Sequence, residues 1–220
     1  MSVKLLISAE ANAGKTTLTR NLKNALVISC DGKRYPFPTP HVLVSSFGNT
    51  AELINLITEK IEAYHTKFGN YPETIVFDSV SKIFETLYNT CNDKYTGFHI
   101  YSKLDSEITL LNNFIEHSLV GSDLNVILIS HALYDAETSK YSLVGKGSFQ
   151  KKGGYLSEVD EGIFIEVKGN KRIIHFRSGK FPARSLHPDL PESTSIEEFD
   201  LQQHIELLQT NASSVEEFAL

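Results

Sequence analysis

The stretch Ala9-Glu10-Ala11-Asn12-Ala13-Gly14-Lys15-Thr16 constrains this chain more than any other. It follows the GxxxxGK[ST] spacing, with Ala9 in place of the first Gly, and lies between an apolar run at residues 3–8 and a helical pattern at 15–24. A strand-to-helix turn of this kind aims successive backbone N–H groups and a helix N-terminus at one point, which cradles phosphate oxygens. Lys15 is then placed to reach β and γ phosphates and the Thr16 hydroxyl to ligate Mg²⁺, with Thr17 completing the contact surface of the loop. A chance GKT would have to account for strand, spacing and following helix together. A methyl group at Ala9 is harmless if φ there is negative, because only positive φ penalises a non-Gly residue. The loop predicts a site for ATP with Mg²⁺.

The pattern around the loop sets the fold class. Apolar, β-branched runs at 25–29, 42–45, 74–78 and 125–130 alternate with helical periodicity at 50–68, 81–91 and 103–119. Strands separated by helices form right-handed crossovers, so an α/β fold is expected: a mostly parallel sheet flanked by helices, with ligands at the carboxyl ends of the strands. Two β-rich runs, 162–168 and 171–177, flank Gly169-Asn170 and predict an antiparallel hairpin on one sheet edge. Beyond Pro182 a Pro- and Ser-containing acidic stretch leads to one amphipathic helix near 196–208, and no internal repeat is present. The expected division is one domain over residues 1–186 and an acidic tail, 187–220, appended to it.

Composition excludes several classes. The chain has 220 residues, 41% hydrophobic and 22% charged, which suits one folded domain with a sizeable core. Cys30 and Cys91 fit neither a disulfide framework nor a zinc pattern and are expected to be reduced thiols. The N-terminal apolar run is too short for a signal peptide, and none approaches the roughly 20 residues of a membrane span. A cytoplasmic protein without a membrane segment is expected. Net charge is −6, but the tail holds eight acidic residues and no Lys or Arg, leaving the rest of the chain at +2. The tail is available to a partner, to compete with a polyanion, or simply to aid solubility.

Asp78 ends the apolar run 74–78, where a carboxylate can hold Mg²⁺ through a water or through the Thr16 hydroxyl. Its other reading is an N-cap for the next helix. The order of elements, with the phosphate loop followed by strands ending at Ser29-Cys30-Asp31-Gly32, Phe77-Asp78-Ser79 and Ile129-Ser130-His131, resembles the RecA-like ATPase core over roughly residues 3–180. More narrowly it is similar to the small phage-encoded RecA-like ATPases of the Sak type, which act in single-strand annealing and recombination. The resemblance implies a carboxylate that activates the attacking water, matched here by Asp31, where the family has Glu. It implies a γ-phosphate sensor, matched by His131, and a homo-oligomer with ATP between subunits. Asp31-Gly32 also reads as a turn signal, and His131 as a strand-end cap.

Two segments carry Lys interleaved with aromatic residues, the chemistry that holds single strands without reading sequence. One is 135–155, predicted to lack regular structure, with Lys146, Phe149, Lys151 and Lys152. The other is 92–103, with Lys94 and Tyr95. Both match DNA-facing positions of the resembled family, so single-stranded DNA is the expected partner. Read as lids, they would instead close over the nucleotide. A small-molecule or nucleotide kinase and a slowly hydrolysing adaptor use the same loop and stay open as alternatives.

Overall fold

The computed structural model describes residues 2–44, 46–145, 149–150 and 153–216, and side chains as far as residue 211. Among these residues the strands are β1 (Lys4–Ala9), β2 (Ala25–Ser29), β3 (His41–Leu43), β4 (Thr74–Asp78), β5 (Asn125–Asp135), β6 (Lys140–Leu143), β7 (Glu161–Lys168), β8 (Lys171–His175) and β9 (Ser193–Ser195). The helices are α1 (Lys15–Leu18), α2 (Thr50–Phe68), α3 (Val80–Lys94), α4 (Phe98–Asn113) and α5 (Leu201–Glu216). The strands form one sheet in the order β3-β2-β4-β5-β1-β7-β8-β9, with β6 paired to β5. Strands β3 through β7 in that order pair in parallel, and β8 and β9 continue antiparallel. The expected α/β class and C-terminal hairpin are both present.

The central strands are buried on both faces, and alternate residues feed two separate cores. Leu6, Ile28, Phe77 and Leu128 point to the side covered by α2, α3 and α4, and Leu5, Ile7, Val27, Val76 and Ile129 to the side covered by α1 and α5. Helix α2 shows why the local sequence suffices. Asn49 caps its N-terminus by accepting the Glu52 N–H at 2.9 Å, Gly69 ends it in the left-handed region at φ 80°, and Leu53, Ile57, Ile61 and Tyr64 form its buried stripe. The same spacing of Ile83, Leu87 and Cys91 docks α3 on that face.

Two expectations change. Helix α1 stops at Leu18 and tightens into a 3₁₀ turn over Thr19–Asn21, where the Thr19 hydroxyl donates to the Thr16 carbonyl at 2.8 Å instead of leaving helix geometry undisturbed. The segment 135–155 does contain regular structure: β5 runs on to Asp135 and folds back as β6, with Ala132 opposite Leu143 and Tyr134 opposite Tyr141. The acidic segment is packed onto the molecule. β9 pairs with β8, and α5 buries Leu201 and Ile205 in the second core. His204 on α5 faces Glu161 of β7 at 3.6 Å, both side chains being almost fully buried.

Because Ile205 is 1% exposed, Ile205→Ala should destabilise the protein by about 2–4 kcal/mol in urea unfolding, with the slope unchanged. A tail held only loosely would show no shift.

Candidate functional site

Parallel register places the candidate residues at one edge of the sheet. Ala9 at the end of β1 lies opposite His131 of β5, and Asp78 at the end of β4 lies opposite Ile129. Ala9 belongs to the strand and is not among the residues with positive φ, so its methyl group costs nothing. The loop bends afterwards, with Asn12 at φ 61° and Gly14 at φ 102°, the latter a conformation that side chains rarely adopt. Ala13 is buried under the loop, whereas Glu10, Ala11, Asn12 and Thr17 are exposed.

Lys15 folds back into this loop. Its ammonium donates to the Ala9 carbonyl at 3.1 Å and the Glu10 carbonyl at 2.7 Å and lies 3.4 Å from His131 Nδ1. Burial brings its pKa down to about 8, against the opposing pull of Asp78. The Thr16 hydroxyl donates to Asp78 Oδ2 at 2.7 Å. Burial raises the Asp78 carboxyl, while that hydrogen bond opposes the rise. Asp78 is not the N-cap of α3: Ser79 occupies that position. The Thr16 and Asp78 oxygens form a hard, acidic donor pair beside the phosphate cradle, which fits Mg²⁺, since that ion takes few protein ligands and completes its shell with phosphate and water. Among the described residues there is no cluster of three or more His, Cys, Asp or Glu able to hold a metal alone.

His131 does not end its strand. It sits where β5 leaves β1 and begins to pair with β6, and its N–H donates to Ser81 Oγ at 2.8 Å. Burial first, then Lys15, lowers its pKa, so the ring is neutral. Asp31 lies just past β2, half-buried, and serves its own turn: Oδ1 accepts the Lys33 N–H at 3.1 Å, and Lys33 Nζ is 3.1 Å from Oδ2. The same carboxylate lies close enough to act on Asp78 and His131 electrostatically.

Sequence reasoning passed over Ser81, which positions His131, and Tyr35, whose hydroxyl lies 2.9 Å from Thr19 Oγ1 and whose phenol is pushed up chiefly by burial. Glu10 also accepts from the Tyr141 hydroxyl at 3.3 Å, tying the loop to β6. Neither Ser81 nor Tyr35 belongs to a motif; each is defined by a contact with a residue of another element.

The two Lys-aromatic segments fare differently. Lys94 and Tyr95 are exposed at the end of α3, beside the start of α2, and Lys103 lies over the Tyr95 ring at 5.9 Å. Phe149 packs its half-buried ring edge-on to Tyr155, with centroids 4.9 Å apart, and near Phe84. Lys146, Lys151 and Lys152 lie outside the described residues.

A lysine with a lowered folded-state pKa holds fewer protons than the unfolded chain between pH 8 and its ordinary value, so raising the pH through that window adds stability. Relative to Lys15→Met, the nucleotide-free protein should therefore gain on the order of 2 kcal/mol between pH 7 and pH 10.5, read from urea unfolding of both proteins at each pH.

An AAA domain family model matches residues 1–185. No match was found among curated proteins. The matched span runs from β1 through β8 and contains every residue gathered around Lys15. The chain belongs to the AAA domain family and is a nucleotide-binding ATPase of the P-loop kind.

Proposed function

We propose that the chain binds ATP with Mg²⁺ at residues 9–17 and uses ATP hydrolysis to act on single-stranded DNA in annealing or recombination, as a homo-oligomer. The observation that carries the nucleotide half is the Thr16 hydroxyl held on the buried Asp78 carboxylate beside the inward-folded Lys15. In this reading the Ala9 and Glu10 carbonyls occupy the Lys15 ammonium until phosphate oxygens replace them. The negative charge of the phosphates then offsets the burial that depresses the Lys15 pKa.

Thr16 and Asp78 would hold Mg²⁺, which when bound neutralises charge on the phosphate oxygens. Neutral His131 accepts from Lys15 at Nδ1, which leaves Nε2–H free to donate to a γ-phosphate oxygen. Asp31 is the candidate base for the attacking water. To act, it must loosen from the Lys33 N–H, which favours slow turnover.

Two exposed apolar surfaces support the DNA half. Phe98 is 80% exposed at the start of α4, three residues from Tyr95 and from Tyr101 in sequence, and Leu133 and Tyr134 are exposed on opposite faces of the β5–β6 hairpin. Aromatic faces beside Lys side chains suit unpaired bases on a phosphate backbone. The favoured substrate is therefore a single strand gripped without sequence reading. The oligomer follows from the resemblance to RecA-like proteins.

ATP hydrolysis by the full chain, with and without single-stranded DNA, tests this. Lys15→Ala and Asp78→Asn should each lower the rate at least about 100-fold. Lys94→Ala combined with Tyr95→Ala should abolish stimulation by DNA. Absence of DNA binding by the wild type at low salt, where phosphate contacts are strongest, rejects the DNA half and leaves the ATP site standing.

A further inference from the structure

An open cleft of about 560 Å³ lies beside the phosphate loop, a volume within the roughly 300–1,000 Å³ range of small-ligand sites. Asn12, Gly14 and Thr17 line one side, and Arg172 of β8 with Ile196 and Phe199 of the acidic segment line the other. The two walls are therefore remote in sequence. The second lies largely beyond residue 185, where the family match ends.

The second wall is fixed in place. β9 pairs with β8 through Ser195 and Ile173, Leu201 is buried in the core, and the Lys23 N–H donates to Gln202 Oε1 at 3.2 Å. Arg172 lies against the loop, its Cδ and Nε 3.8 Å from where a side chain on Gly14 would begin, and Ile196 Cδ1 reaches within 4.0 Å of the same point. The cleft is thus continuous with the phosphate cradle.

We propose that this cleft seats the nucleoside half of the nucleotide, so that residues 196–200 of the acidic segment complete the binding site. The proposal rests on the ATP-binding reading of the phosphate loop. A nucleoside triphosphate joins a flat, largely apolar base to a polar sugar and a polyanion. With the phosphates on the loop, the remainder needs adjacent space with an apolar face and hydrogen-bond acceptors.

Ile196 and Phe199 are half-buried and present that face, and Arg172 adds a planar cation able to stack on a ring. Glu197 and Asp200 supply acceptors only. Asp200 Oδ1 already takes the Gln203 N–H at 2.9 Å, which leaves Oδ2 for a ligand donor, and ribose hydroxyls and exocyclic amino groups are such donors.

The test compares ATP with inorganic tripolyphosphate, which shares the phosphates and lacks the nucleoside. Affinities of both are measured by calorimetry on the full chain, as wild type, Phe199→Ala and Arg172→Ala, with native folding checked by circular dichroism. The expected result is ATP affinity about tenfold weaker in Phe199→Ala, with tripolyphosphate affinity changed less than about twofold. If Phe199→Ala loses its fold, Arg172→Ala, at an exposed position, carries the same comparison.

Unchanged ATP affinity overturns the proposal. Equal loss of both ligands also overturns it, because the segment would then be supporting the phosphate loop alone. Wild type that binds tripolyphosphate as tightly as ATP removes the nucleoside seat and leaves the phosphate loop intact, whereas wild type that binds neither removes the ATP-binding reading itself.

Discussion

The parallel pairing of β1 and β4 with the strand between them, β5, is the constraint on which the rest depends. Side chains alternate along a strand, so a slip of one residue would send Leu5 and Leu6 to the wrong cores and turn Asp78 away from Thr16. Two apolar cores of opposite facing fix that register from both sides. Once it is fixed, the strand ends at Ala9 and Asp78 and the mid-strand His131 stand at the same level, and the loop after β1 closes beside them.

That closure carries an electrostatic cost. A lysine buried to 6% exposure is held by two carbonyl dipoles, a neutral imidazole and one carboxylate that is itself disfavoured by burial. A polyanion is the ligand that reverses the sign of this arrangement, because it favours charged Lys15 and relieves the loop carbonyls. The burial that disfavours the Lys15 ammonium is what a bound phosphate would offset.

Where the information was local, the sequence could be read residue by residue. The strands at 25–29 and 74–78 and the helix at 50–68 follow from apolar runs bounded by Asn49, Gly69 and turn residues. The phosphate loop was legible for the same reason. What escaped was set at long range. The Ser-Thr-Ser of β9 has no apolar alternation and becomes a strand only because β8 offers an edge. The extension of β5 depends on β6 folding back onto it, and Ser81 matters because β5 brings His131 to it. Asp31-Gly32 carried a turn signal and a catalytic resemblance at once, and its local bond to Lys33 shows the turn chemistry at work.

The acidity of the segment beyond residue 186 reads differently once its position is known. Carboxylates beside a phosphate site repel its ligand unless they are screened or kept to one side. Glu197 and Asp200 lie across the cleft from the loop, with Arg172 against Gly14. The Ser195 hydroxyl chiefly, then a backbone hydrogen bond, and least of all Arg172, hold the Glu197 carboxyl below its usual range. The cation at Lys15 and the acceptors at Glu197 and Asp200 thus stand at different ends of the cleft and the loop it adjoins. In the proposed seating, this order of charges would place the phosphates at the loop and the hydroxyl-bearing end at the acids, so the local order of charges counts for more than their sum.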